Sequence, residues 1–295
     1  MKRIPGRLAG TVTGCRGPYV YQLTDDVVRE ERTIMKAFTI TILALTLAAP
    51  SFADVTINHT MNGKALGFSG ATTGTTYIKG NRMRSDAVVR NRTQTTIFDL
   101  DAQKMYMFDS RKKQADVWDM AAFAAEMSKS VDMSGAQASF QPNGQTKEIA
   151  GHTATGYDVE VSMQAGMGGS PDMAMTVTLT GPVWIVEDAP GADEYASFYS
   201  AAVEKGWIFS DPRAAKAQPG QAKAMAEMYR QIAEAGGIAY ESDVQIKMSG
   251  SGPMAAMMAK MGNASFTTVV DSVETGALSD DLFAPPADYQ LKAQK

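Results

Sequence analysis

Residues 75–89 read Thr75-Thr76-Tyr77-Ile78-Lys79-Gly80-Asn81-Arg82-Met83-Arg84-Ser85-Asp86-Ala87-Val88-Val89. Thr75–Lys79 and Arg82–Val89 flank Gly80-Asn81, and a two-residue Gly/Asn step between two strand-like runs signals a hairpin. The same rhythm continues on both sides. Upstream, Val55, Ile57, His59 and Met61 alternate with polar residues, the period of a half-buried strand. Downstream, Gln94–Leu100, Lys104–Phe108 and Ala115–Trp118 are separated by polar turns around Asp101 and at Asp109–Lys113. Short strands joined by short turns make a meander from Asp54 to about Trp118.

Beyond Trp118 the pattern changes. Met120, Phe123, Ala124 and Met127 fall at helical spacing and predict a helix over 120–129. A softer Gly/Ser/Gln/Pro stretch runs to Gln145. Lys147–Ile149, Thr155–Met163 and Met173–Val186 read as strands, the last two separated by the Gly-rich loop 166–171. Ala192–Lys205 reads as a helix stopped by Gly206. Asp211-Pro212 then supplies an N-cap followed by Pro at the first helical position. Gln218-Pro219-Gly220 interrupts that helix, and another runs from near Gln221 to Gly236-Gly237. Ile238–Met248 returns to strand, Pro253–Met261 is a short helix, and Ser265–Val273 is a last strand. Helices inserted between groups of antiparallel strands give an α+β class. A parallel dinucleotide-binding sheet is disfavoured, because the crossovers it needs are missing.

Composition bounds the function. The chain of 295 residues is 44% hydrophobic and 20% charged, with a net charge of -4 and one cysteine. It is too apolar and too weakly charged for a disordered chain, and it has no cysteine framework. Nor does it have the basic excess that would neutralise nucleic-acid phosphates. Met35-Lys36, the apolar run Ala37–Ala49 and Pro50-Ser51-Phe52-Ala53 read as a secretory signal peptide cleaved after Ala53. Residues 1–34 are then an extension expected not to be made, with translation starting at Met35. Residues 1–53 hold 7 of the 28 Lys and Arg and 4 of the 32 Asp and Glu, which leaves 21 basic and 28 acidic side chains in the mature chain. Cys15 is lost as well, so no cysteine is left for lipid attachment. Residues 54–295 are expected to form a single domain of the periplasm or secreted space, with a helical insertion over about 189–237.

Several phrases resemble a known family. They are Thr76–Arg84, Thr96-Ile97-Phe98-Asp99-Leu100-Asp101, Lys104–Asp109, Lys147–His152 leading to Thr155–Val159, and Leu282-Phe283-Ala284-Pro285-Pro286-Ala287-Asp288-Tyr289. Together they are similar to a secreted domain family of unknown function grouped with the LolA-like proteins, the bacterial lipoprotein-carrier clan. The resemblance implies a strongly curved antiparallel sheet forming an incomplete barrel, helices covering its open concave side, and a hydrophobic cavity between. Better-known members of the clan use that cavity for acyl chains. No functional residue carries over.

Methionine is the compositional anomaly. Eighteen of the twenty lie after residue 53, in groups such as Met105 with Met107, Met225 with Met228, and Met254, Met257, Met258 and Met261. Three readings stay open: core packing, a pocket for a flexible apolar ligand, and a copper(I) site built from thioethers. His59 lies on the apolar face of the first strand and reads as a core histidine. His152 follows Gly151 in a turn and reads as solvated. Catalytic motifs are missing: there is no Gly-x-Ser-x-Gly elbow, no carboxylate set at metal-ligand spacing, and no phosphate-loop ending after Gly166–Gly169. The basic group Arg82, Arg84, Arg90, Arg92 and Arg111–Lys113 protects strand edges or forms a patch for anionic headgroups or an acidic partner.

The expectation is a non-enzymatic binding or carrier protein for a hydrophobic small molecule or lipid, with a membrane or lipoprotein partner and no cofactor. Phe98, Met105, Met107, Val159, Val177 and Phe266 would line the concave face. The helices carrying Met225, Met228 and Ile232, and Met254, Met257, Met258 and Met261, would be movable covers. The alternatives are a copper(I)-binding protein and a structural or interaction protein with a solid core.

Overall fold

A computed structural model describes residues 53–294 apart from 66–67, 90, 130–135, 167–173, 208, 210, 218 and 251–263. The twelve described strands are β1 Val55–Ala65, β2 Phe68–Lys79, β3 Arg82–Val89, β4 Arg92–Asp99, β5 Lys104–Asp109, β6 Gln114–Asp119, β7 Ala136–Ile149, β8 His152–Gly166, β9 Ala174–Val186, β10 Ile238–Gly250, β11 Ala264–Thr275 and β12 Gln290–Ala293. They form one sheet in the order β12-β6-β5-β4-β3-β2-β1-β11-β10-β9-β8-β7. The sheet is thus two meanders, β1–β6 and β7–β11, zipped together where β1 pairs β11. It does not close on itself. β12 and β7 are its edges, and the architecture is the open antiparallel half-barrel that the family resemblance implies. The exception is β12, which lies parallel to β6.

Local chemistry sets the turns. Gly80, at φ 53, opens the two-residue link that pairs Lys79 with Arg82. Ala150 and Gly151 both have positive φ, 52 and 83, so the β7–β8 link has the left-handed backbone that matches strand twist. Asp99 accepts from the Ala102 N–H at 2.8 Å, and Asp109 accepts from the Arg111 and Lys112 N–H groups.

Four α-helices are described: α1 Met120–Lys129, α2 Ala192–Glu204, α3 Pro212–Ala217 and α4 Pro219–Ala235. Asp119 caps α1 through the Ala122 N–H at 3.0 Å, and Asp211 caps α3 through the Arg213 N–H at 2.9 Å. α4 lies on β7 and β8, while α2 packs against α4, β2 and β10, so the helices cover one face of the sheet. Glu194 of α2 is the one buried charged side chain among the described residues, and it accepts from the Gly80 N–H in the β2–β3 turn.

In-register pairing builds the core. Val55, Ile78, Met83, Phe98, Met105 and Trp118 lie side by side across six neighbouring strands, all at 5% exposure or less. α1 and α2 cover this row with Phe123, Phe198 and Ala202. A second cluster, Phe140, Val159, Val161, Val183 and Ile185 with Ile232 of α4, fills the other wing.

The soft stretch before Gln145 is a correction: Ala136–Ile149 is one continuous strand. Its Pro142 and Gly144 sit at a bulge between Pro142 and Thr146, and β7 is an edge strand, where a missing N–H breaks no ladder. The expected helix at Pro253–Met261 lies outside the described residues.

Candidate functional site

Between the concave face and the helices is a cavity of ≈ 510 Å³. Its floor follows from strand register. The row Ile57, Thr76, Ser85, Thr96 and Met107 runs across β1 to β5, one step along from the buried core row. Phe98 and Met105 bound the floor on the core side, while Val270, Thr268 and Ser242 continue it onto β11 and β10. The roof is aromatic. Tyr195 and Tyr199 of α2, Phe209 of the following loop and Tyr229 of α4 all line it. Tyr199 and Tyr229 stack with centroids 5.6 Å apart, and Phe209 lies 4.9 Å from Tyr229 and 5.4 Å from Phe98.

His59 stands in the middle of the floor. Its partner across β2 is Gly74, where an added Cβ would lie 2.3 Å from Nε2, so the imidazole occupies the space that a side chain at 74 would fill. Burial lowers the His59 pKa below 6.5, partly opposed by the negative charge of Asp271. The ring is therefore mainly neutral at pH 7. Burial also raises the phenols of Tyr195, Tyr199 and Tyr229, and the first two hydrogen-bond to each other. With its imidazole and phenols uncharged at pH 7, the floor and roof suit an uncharged guest.

A wider surface groove shares Thr96, Met107 and Asp211 with the cavity. Arg213 bridges it, donating to Asp211 at 3.0 Å and to Asp116 at 3.2 Å, with Nη2 4.0 Å from the Met107 sulfur. Arg92 and Arg111 line the outer part. Of the other basic residues, Arg82 pairs with Asp280, Arg84 with Asp86, and Lys113 with Asp288. Among the described residues no three His, Cys, Asp or Glu side chains gather as a metal site.

The residues expected to line a pocket divide into four sets. Phe98, Met105, Met107, Met228 and Ile232 line the cavity. Val159 and Val177 belong to the packed wing under α4. Phe266 lies against Gly63, and Met225 is partly buried on α4. Met254, Met257, Met258 and Met261 fall outside the described residues. Sequence reading missed His59 as a cavity residue, and it missed the aromatic roof. The one available cue was Gly74, a lone glycine in the Thr-rich run 72–76.

No family model matches the sequence, and no curated protein matches it. Solved structures are similar at low identity. PNGF-II is 10% identical with a TM-score of 0.34, over 82% of this chain, which spans 31% of that protein's length. A LolA superfamily protein from Nitrosomonas europaea is 8% identical with a TM-score of 0.27, over 79% of this chain and 91% of that one. A putative outer membrane lipoprotein-sorting protein domain from Vibrio parahaemolyticus is 9% identical with a TM-score of 0.31, over 79% and 90%. The functional reading therefore rests on the cavity itself.

Proposed function

We propose that this protein binds a hydrophobic small molecule or lipid in the chamber between β1–β5, β10–β11 and the helices α2 and α4, and holds it as a carrier. The observation that carries the reading is a ≈ 510 Å³ cavity whose walls are Phe98, Met105, Met107, Met228 and Ile232 beneath an aromatic roof. That volume falls in the range of small-molecule sites, about 300–1,000 Å³. Burying roughly 200 Å² of a guest's apolar surface there is worth about 5 kcal/mol before the costs of association. Thioether and aromatic walls can repack around varied shapes.

The signal-like stretch Met35–Ala53 supports export to the periplasm. Among the described residues no helix is long and apolar enough to cross a membrane.

Native mass spectrometry of the protein purified without detergent tests the reading. The expected result is a discrete adduct that separates on denaturation and runs as a lipid. A bare mass, together with no binding of N-phenyl-1-naphthylamine, would overturn it.

A further inference from the structure

The cavity is not uniformly apolar, and its polar groups have a pattern. Thr76, Ser85 and Thr96 are in register on three adjacent strands, so their side chains follow one another at strand spacing, about 4.8 Å. Thr268 and Ser242 face each other across β11 and β10. His59 on β1 lies between these two sets, beside Gly74 on one side and Val270 on the other. All six line the cavity, all are partly buried, and among the described residues none of their side chains has a hydrogen-bond partner within the protein.

A guest made only of hydrocarbon would strip water from these six groups and return nothing to them. Burying polar groups without partners is unfavourable, and a binding site built around them discriminates strongly against analogues that lack the matching group. Hydroxyls donate and accept, and so does a neutral imidazole across its two nitrogens. Among the described residues no cation lines this floor. Asp211 stands at the rim with its charge already held by Arg213, and Arg92 and Arg111 belong to the outer groove. The complement to such a surface is an oxygen function that carries no charge.

We propose that His59 and the hydroxyls flanking it form a head-group subsite for an uncharged hydroxyl or carbonyl oxygen on an otherwise apolar ligand, with His59 as the central contact. This rests on the carrier reading above and narrows its ligand class. Free acids and bare hydrocarbons are disfavoured guests. Gly74 is part of the subsite, because its missing side chain leaves the space in which the imidazole lies.

The experiment is competition against N-phenyl-1-naphthylamine on the full chain, using 1-octanol, octanoate and octane as displacers, with wild type and His59→Leu compared. The ratio of affinities between the two proteins cancels the different water solubilities of the displacers. Octanol is expected to lose about five- to ten-fold in the variant, the size of one net hydrogen bond, while octane changes less than about two-fold. In wild type, octanoate is expected to be the weakest displacer. A readout without substitution accompanies it: the side-chain nitrogen spectrum of a chain with two histidines. Octanol should move the His59 signals and leave those of His152 in place, whereas octane should move neither. Equal losses for octanol and octane, or unmoved His59 signals on octanol saturation, would overturn the subsite and leave an apolar cavity standing. Tightest displacement by octanoate would overturn the uncharged head group. Failure of the dye to bind wild type would instead remove the carrier reading beneath it.

Discussion

An alanine at position 74 would put its Cβ 2.3 Å from His59 Nε2, closer than non-bonded atoms approach. Either the imidazole must leave its place over β2 or the two strands must part. Gly74→Ala is expected to destabilise the fold by about 1–3 kcal/mol, as overpacking does, and to weaken dye binding in step. Urea melts and dye titrations of the same sample check this. The ring also makes stability depend on pH. Unfolded imidazole titrates near 6.5, while burial lowers the folded value despite Asp271, so the unfolded chain binds more protons in the window between. The contribution is fully present above about pH 6.5, is lost as pH falls through the folded value, and is constant below it. Urea midpoints taken at about pH 7.5 and about pH 5.5 should fall more for wild type than for His59→Gln. A larger fall in the variant would refute the assignment.

At the scale of elements, Glu194 joins two pieces distant in sequence. Its buried carboxylate on α2 accepts from the Gly80 N–H, so the helix that roofs the cavity is pinned to the turn beneath it. Glu194→Ala leaves that N–H without its partner and is expected to cost about 1–3 kcal/mol. Glu194→Gln keeps an acceptor oxygen and should cost less than half as much by thermal or chemical melting. Much of this architecture was legible in the residues. Gly80-Asn81 marked its hairpin, Met120–Met127 marked α1, and Asp211-Pro212 marked the start of α3. β7 was not legible, because Pro142 and Gly144 read as loop unless the strand is known to be an edge. Nor was β12, whose four exposed residues carry no periodic signal and are held by pairing with β6. The cavity was half legible. Alternation put Phe98, Met105 and Met107 on the inner face, but which inner-facing residues meet open space depends on how far α4 extends over the sheet. Val159 and Val177 share the face and lie in its packed wing.

For the whole molecule, the pairing of β1 with β11 decides when a cavity can exist. Ile57 and His59 lie on one side of that seam, Thr268 and Val270 on the other, and all four belong to the same floor. The seam is tied by the Asp54 carboxylate accepting from the Leu278 N–H, 224 positions away, and by Asn58 donating to the Ser272 hydroxyl, 214 away. Contacts of such separation form late, because loop closure must come first. Dye capture on dilution from urea should therefore recover in a slow phase, of milliseconds or longer, after most strand structure has returned. Recovery within the earliest phase would contradict this. The same seam has a consequence for biogenesis. A chain that stops short of residue 268 lacks Thr268 and Val270 and the strand that carries them, so the floor is complete only when β11 has been made and has paired with β1. On the proposed carrier reading, loading follows the closing of this seam and is a property of the finished fold.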